Sequence, residues 1–115
     1  MKILILDDDQ NRHKIFAQKL IGHEVVHTYT AMATIAHLKN DTFDYVFLDH
    51  DLGGKVFVES GEKTGFQVAE WLSHNVKHQP TNIIIHSFNP VGAQNMKNVL
   101  PNAQIIPGAW DRIQL

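Results

Sequence analysis

The sequence contains no cysteine among its 115 residues. This absence excludes a disulfide framework, thiolate catalysis and cysteine zinc sites, and it is compatible with a reducing cytoplasm. Long apolar runs are missing too, because the N-terminus has only four apolar residues before three aspartates and no later run approaches a membrane span. We therefore expect a cytoplasmic protein with neither a signal peptide nor a membrane anchor.

The chain also lacks an excess of positive charge. Its formal net charge is -2 with neutral histidines, so it has no broad basic field to hold a nucleic-acid backbone. We expect no binding of duplex nucleic acid, and a nucleotide ligand has to be small or a strand end. The length and the hydrophobic fraction of 43% suit one domain, which we predict to span residues 1–115.

Short apolar runs alternate with stretches of helical period along the chain, which is typical of a βαβ architecture. The predicted strands are Lys2–Leu6, Glu24–Tyr29, Tyr45–Leu48, Asn82–His86 and Ala103–Ile106. The predicted helices are Asn11–Ile21, Ala31–Lys39, Gly65–Asn75 and Pro90–Val99, and the tail Ala109–Leu115 is too short to assign. We predict a flavodoxin-like α/β fold with five parallel strands in the order 2-1-3-4-5 and helices on both faces.

Polar residues concentrate at the carboxyl ends of the first, third and fourth predicted strands. In the predicted strand order these ends share one crevice, which is where open α/β sheets bind ligands. Asn89 begins the helix after the fourth strand, and the free N–H groups of that helix end are expected beside the crevice. The residues that we expect to converge are Asp7, Asp8, Asp49, His50, Asp51, His86 and Ser87.

Some of these residues resemble a response-regulator receiver domain. The similar stretches are I-L-I-L-D-D (Ile3–Asp8), L-D (Leu48–Asp49) and the hydroxyl of Ser87 after the fourth strand. In receivers an acidic pair and a central aspartate hold Mg²⁺, and the central aspartate accepts a phosphoryl group. The resemblance implies these roles for Asp7, Asp8 and Asp49.

One position departs from the receiver pattern. Receivers carry a lysine just before the proline that follows the fifth strand, and here Ile106 stands before Pro107. This departure argues against phosphoryl-acceptor signalling, unless Lys55 or Lys63 from the long loop folds over the crevice instead.

Three longer motifs resemble a receiver-like family predicted to process cyclic phosphates. They are D-H-D-L-G-G (Asp49–Gly54), T-G-F-Q-V-A-E-W-L (Thr64–Leu72) and H-S-F-N-P-V-G-A-Q-N-M (His86–Met96). The resemblance extends from Lys2 to Met96. It implies a cyclic phosphate ligand, either an RNA 2′,3′-cyclic end or a cyclic nucleotide.

Opening a cyclic phosphate requires one oxygen to lose a proton and another to gain one. His50 and His86 are the natural acid and base, because imidazole titrates near neutral pH, and Asp49 is the third catalytic candidate. The developing phosphate charge needs cationic or N–H donors. The candidates for that role are Arg12, Ser87, Asn89 and Gly92.

The clustered aspartates alone would repel a phosphate. Either they bind a divalent cation, Mg²⁺ or Mn²⁺, or they orient the histidines, and the sequence analysis favours the metal. The predicted metal ligands are Asp7, Asp8, Asp49 and Asp51.

Two other functions stay open alongside the phosphoesterase. The chain could be an atypical receiver phosphorylated on Asp49, or it could sequester a nucleotide without turnover. Each site residue also has a structural interpretation, with the aspartates as turn or cap residues and His86 as a core histidine. We interpret the other six histidines as surface residues, and the role of Trp110 and the identity of any protein partner stay open.

Overall fold

The computed structural model describes residues 1–54 and 57–115. Within this part of the chain, five strands form one parallel sheet in the order β2-β1-β3-β4-β5. The strands are β1 (Lys2–Leu6), β2 (Glu24–Thr28), β3 (Tyr45–Leu48), β4 (Asn82–Ile85) and β5 (Gln104–Ile105). The predicted strand order is confirmed.

Helices cover both faces of this sheet. They are α1 (Gln10–Lys19), α2 (Ala31–Asn40), α3 (Gly65–His74), α4 (Pro90–Val99) and α5 (Ala109–Arg112), with a 3₁₀ turn at Val76–His78. A side-chain oxygen accepts a backbone N–H at the start of each of the first four helices, and these caps fix where the helices begin. The capping residues are Asp9, Thr30, Thr64 and Asn89.

The core consists of two apolar layers, one on each side of the sheet. Successive side chains of a strand point to opposite faces, so Ile3 and Ile5 lie in one layer while Leu4 and Leu6 lie in the other. The layer around Ile3 is closed by α1 and α5, and the layer around Leu4 is closed by α2, α3 and α4. Because strands buried on both faces need covering on both sides, the unbroken apolar runs of the sequence produce this arrangement.

Differences from the sequence-based expectation occur at element ends. Strand β4 ends at Ile85, so His86 lies in the following loop, and β5 has only two residues. The tail forms α5, which begins after Gly108 in the left-handed region at φ 70°. A four-residue helix contains too little sequence to show a helical period.

The prediction that the remaining histidines lie on the surface is wrong for His13. Its side chain is buried, with Nε2 2.8 Å from the Asp7 carbonyl oxygen and Nδ1 2.6 Å from Nδ1 of His27. His13 stands three residues before Phe16 on the inward face of α1, so the helix places it in the interior.

Across the described ranges, no helix has the length and apolar character needed to cross a lipid bilayer.

Candidate functional site

A cavity of about 440 Å³ opens where β1, β3 and β4 end. We call it the acidic cavity, because four aspartates contribute to its wall. It is lined by Asp8, Asp9, Arg12, Asp49, Asp51, Gly54, Phe57, Ser87, Phe88, Asn89 and Trp110.

Arg12 supplies a positive charge at the wall of this cavity. Its Nε and Nη2 atoms each lie 2.9 Å from an oxygen of Asp7, so the pair is bidentate. Nη2 also lies 3.4 Å from Asp49 and 3.5 Å from Asp8. The guanidinium stacks 4.9 Å from the ring centre of Trp110. One cation therefore lies among three aspartate side chains and over an aromatic ring.

Asp7 is the buried anion that holds Arg12. Its carboxylate accepts hydrogen bonds from the Asp9 backbone N–H at 2.9 Å and from His86 Nε2 at 2.9 Å, in addition to Arg12. Burial alone would raise the pKa of Asp7, but the hydrogen bonds from His86 and Arg12 lower it to about 2. Asp7 is thus ionised at neutral pH, and all its partners are donors.

Asp49 differs from Asp7 in that its pKa is raised and not lowered. Burial and the nearby charge of Asp7 raise the pKa of Asp49 to about 8, against the opposing effect of Arg12. At neutral pH this carboxyl therefore carries a proton, and it lies at the cavity wall. A group with such a pKa in a cleft is a candidate for proton transfer.

His86 lies behind the cavity. It is fully buried and packs edge-on against Phe16 and Trp110. Burial lowers the pKa of His86 in spite of the Asp7 charge, so the ring is neutral and its Nε2 proton points to Asp7. Its Nδ1 atom has no hydrogen-bond partner among the described residues.

His50 is also fully buried and does not line the cavity. Its Nδ1 lies 2.9 Å from Oδ1 of Asp51, and its Nε2 lies 2.8 Å from Oγ of Ser60. Gly92 of α4 lies against the ring so closely that a Cβ there would be 2.5 Å from a ring carbon. The ring is therefore held from three sides.

Asp51 and Asn89 hold the loop that follows β3. Asp51 accepts the backbone N–H groups of Phe57 at 2.7 Å and Val58 at 3.2 Å. The Asn89 amide donates to Asp51 at 3.1 Å and to the Val58 carbonyl at 3.2 Å, while its oxygen accepts the Gly92 N–H. Both side chains reach the cavity wall, but most of their hydrogen-bonding capacity goes to the loop and to the start of α4.

The acidic cluster also has the donor chemistry of a cation site. Asp7, Asp49 and His86 each offer one ligand atom, and these atoms lie within 4.8 Å of one another. Carboxylate oxygens suit Mg²⁺ and Mn²⁺. However, the Asp7 oxygens already accept hydrogen bonds from His86 Nε2 and from Arg12. A divalent ion at this cluster would therefore compete with the guanidinium for the Asp7 carboxylate.

Six of the ten predicted site residues line the acidic cavity, and the other four lie below or behind its wall. The predicted residues that line the cavity are Asp8, Arg12, Asp49, Asp51, Ser87 and Asn89. Asp7 lies beneath them, His50 and His86 are buried behind them, and Gly92 packs under His50.

The sequence analysis missed the aromatic residues of the cavity. Phe57 and Phe88 are 70% and 59% exposed, and Trp110 comes from the tail. Phe88 stands inside the H-S-F-N-P motif, and its position after a strand end was the available signal. Lys63 lines a different cavity, and Lys55 lies outside the described residues.

Solved structures that resemble this chain are receiver domains. A CheY-like receiver domain protein from Methanospirillum hungatei JF-1 matches with a TM-score of 0.72 and 22% identity, covering 93% of this chain and 81% of that one. TrrA from Thermotoga maritima, in complex with Mg²⁺-BeF, matches with a TM-score of 0.71 and 18% identity, covering 96% and 90%. The Mn²⁺-bound response regulator Rcp1 matches with a TM-score of 0.69 and 15% identity, covering 91% and 79%.

No curated protein sequence matches the chain at a significant level. A family model does, and its description is "Cyclic-phosphate processing Receiver domain". The match covers residues 2–102 and so includes β1 to β4 together with the aspartates and Arg12 of the acidic cavity. The chain therefore belongs to the family of cyclic-phosphate processing receiver domains.

Proposed function

We propose that the acidic cavity binds and opens a cyclic phosphate, either an RNA 2′,3′-cyclic end or a cyclic nucleotide. The observation that carries this proposal is the Arg12 guanidinium, which is fixed by Asp7 next to the protonated carboxyl of Asp49. An anion receptor and a proton donor stand side by side in a cavity. Phosphoester cleavage needs both.

The phosphate is held by Arg12 and Ser87. The hydrogen bonds of Arg12 to described residues run through Nε and Nη2, so Nη1 is left for a ligand. The Ser87 oxygen accepts the Asn89 N–H at 3.0 Å, which leaves the hydroxyl proton for a phosphate oxygen. Phe57 and Phe88 at the mouth offer exposed ring faces on which a base stacks.

Water attacks the phosphorus as the bond from phosphorus to the ribose oxygen breaks. Asp49 gives its proton to that oxygen, because it is a group at the cavity wall that carries one at neutral pH, and the resulting carboxylate takes a proton from the attacking water. His86 positions the site through Asp7, since its Nε2–H fixes the carboxylate that fixes Arg12. His50 orients Asp51 in the same way on the loop side. Neither histidine lines the acidic cavity, so direct proton transfer from either ring to a phosphate bound there requires the ring to move.

A divalent cation, Mg²⁺ or Mn²⁺, is the alternative source of positive charge, and it would supply Lewis-acid stabilisation of the phosphate from the acidic cluster. The two versions differ in what Arg12 does. In the metal-free version Arg12 contacts the phosphate, and in the metal version it leaves the carboxylates.

The test is incubation of the purified protein with 2′,3′-cyclic nucleotides and with RNA ending in a 2′,3′-cyclic phosphate, in EDTA and in Mg²⁺ or Mn²⁺. Monophosphate product is measured by chromatography. In EDTA, Arg12→Gln is expected to lower kcat/KM by about 10²-fold or more. Arg112→Gln is the matched control, since Arg112 is an exposed arginine on α5. Absence of product and of binding under every condition would refute the proposal.

The sequestering alternative is favoured by one observation, which is that neither histidine lines the cavity. It predicts tight binding of the cyclic nucleotide with no product from the wild-type protein. The receiver alternative is disfavoured by Ile106, which stands before Pro107 where receivers carry a lysine, so the cation that would neutralise an acyl phosphate is missing. It predicts a stable aspartyl phosphate on Asp49 after treatment with acetyl phosphate, and we expect none.

A further inference from the structure

A second set of reactive groups lies beside the acidic cavity, in the loop between β3 and α3. Ser60 Oγ is 2.8 Å from His50 Nε2, and the other nitrogen of that ring is 2.9 Å from Asp51 Oδ1. The chain has two further serines, both within the described residues. Ser73 donates to a backbone carbonyl and Ser87 accepts a backbone N–H, so Ser60 alone of the three meets a histidine.

The positions of the protons follow from the neighbouring amide. The nitrogen of Asn89 has two hydrogens, which go to Asp51 Oδ1 and to the Val58 carbonyl oxygen. Its oxygen accepts the Gly92 N–H, which fixes the orientation of the amide. His50 Nδ1 is farther from the Asn89 nitrogen, at 3.4 Å, than these two acceptors are, so Nδ1 carries its own hydrogen and donates it to Asp51 at 2.9 Å.

Asp51 is an acceptor throughout. Its oxygens accept hydrogen bonds from His50, from the Asn89 amide and from the backbone N–H groups of Phe57 and Val58. It fixes the tautomer and the plane of His50, which is the role that an orienting carboxylate has beside a catalytic histidine.

The hydroxyl of Ser60 is the donor to His50. In the tautomer that carries its hydrogen on Nδ1, Nε2 is an acceptor. The Asn95 amide nitrogen donates to Ser60 Oγ at 2.9 Å and occupies a lone pair of that oxygen. The Ser60 hydrogen then points to Nε2. Asp51, His50 and Ser60 thus form a hydrogen-bonded relay in the order that activates a serine.

Within the relay, the His50 ring is fixed by its surroundings, whereas Ser60 is partly accessible to solvent. His50 is fully buried and packed against Gly92, whereas Ser60 is half-buried at the surface of the loop. Ser60 does not line the acidic cavity, to which Asp51 belongs. The serine therefore lies on the other side of the His50 ring from the phosphate site.

We propose that Ser60, His50 and Asp51 form a nucleophilic serine centre that cleaves small carboxylic esters. Ser60 Oγ bonds to the carbonyl carbon and passes its proton to His50 Nε2. The bond from that carbon to the leaving oxygen breaks, and the leaving oxygen takes the proton. Water then attacks the acyl-serine, gives a proton to His50 and restores the Ser60 hydroxyl, releasing the acid.

The test uses the full chain with an alkyl fluorophosphonate and with p-nitrophenyl acetate. Attack on the fluorophosphonate forms an O–P bond at Ser60 and releases fluoride with the serine proton. We expect one adduct per chain, mapped to Ser60 by mass spectrometry, and release of p-nitrophenol. Ser60→Ala is expected to remove the adduct and to lower ester cleavage by about 10²-fold or more.

Ser73→Ala is the matched control, because Ser73 is also half-buried but donates to a backbone carbonyl. It is expected to react like the wild-type protein. Asp51→Asn is expected to slow labelling while Ser60 remains present, which separates activation from mere exposure. Wild-type protein that is folded by circular dichroism and shows no adduct on Ser60, or cleaves ester no faster than Ser60→Ala, would overturn the proposal. Because cyclic phosphate turnover is assayed separately, either centre can fail without the other.

Discussion

Replacing Asp49 by Asn is expected to stabilise the fold, and increasingly so as the pH rises. Asp49 is 5% exposed and lies close to the ionised Asp7, so its ionised form is disfavoured in the native state. Its pKa is about 8 in the fold, against a model-compound value of 3.8. Asn keeps the size of the side chain and never ionises.

The direction of the effect follows from proton binding. Between these two pKa values the native state holds a proton that the unfolded chain releases, so the free energy of unfolding falls as pH rises from about 4 to about 8 and is flat above. Each pH unit in this window is worth about 1.4 kcal/mol, so three units, from pH 5 to pH 8, amount to roughly 4 kcal/mol. His86 and His27 titrate in both proteins and cancel in the difference.

The assay is urea unfolding of wild-type and Asp49→Asn protein at pH 5 and pH 8, in EDTA. We expect the advantage of the variant to grow by roughly 4 kcal/mol over that range. Asp111→Asn is the control, since Asp111 is exposed on α5, and its difference from wild type is expected to stay constant. A wild-type-minus-variant difference that does not change between pH 5 and pH 8 would show that Asp49 is ionised throughout, and would remove it as the proton donor.

Three further predictions concern close packing and metal. Gly65→Ala is expected to cost about 3 kcal/mol or more in urea unfolding, because its Cβ would lie 1.7 Å from the Asp49 carbonyl oxygen, whereas Gly61→Ala has nothing within 4 Å and is expected to change little. Gly92→Ala would place a Cβ 2.5 Å from the His50 ring, so we expect a loss of about 1–3 kcal/mol together with slower fluorophosphonate labelling. Millimolar Mg²⁺ or Mn²⁺ is expected to raise the melting temperature of the wild-type protein more than that of Asp49→Asn if the metal version holds, and equal shifts would count against it.

The sheet was predictable because its strands are read from unbroken apolar runs. Lys2–Leu6 and Tyr45–Leu48 are buried on both faces, and a chain with such runs and helical stretches between them has few alternatives to a covered parallel sheet. Strand order then places Asp7, Asp8 and Asp49 at one edge without any knowledge of side-chain contacts.

Side-chain pairing was not predictable in the same way. Asp9 caps α1 and so sets the residue at which the helix begins. A shift of the start by one residue would rotate the Arg12 side chain away from Asp7, and Asp7 would then be free to bind a metal. The burial of His50 depends on Gly92, more than forty residues later, which leaves room for the ring. The position of His13 carried a signal, since its three-residue spacing from Phe16 marks the inward face of α1. The position of Ser60 carried no such signal, because residues in a loop follow neither a helical nor a strand period.

The contact of Trp110 with Arg12 and Phe88 gives the protein an optical property. The indole is 8% exposed and touches the guanidinium that borders the acidic cavity, while the second tryptophan, Trp71, lies on α3 beside Lys39 and His78. Indole emission depends on the polarity and charge around the ring. A protein carrying Trp71→Phe therefore has one tryptophan, at the cavity wall, and the indole emission follows any movement of Arg12. Cyclic nucleotides and divalent ions can be titrated against it without a label.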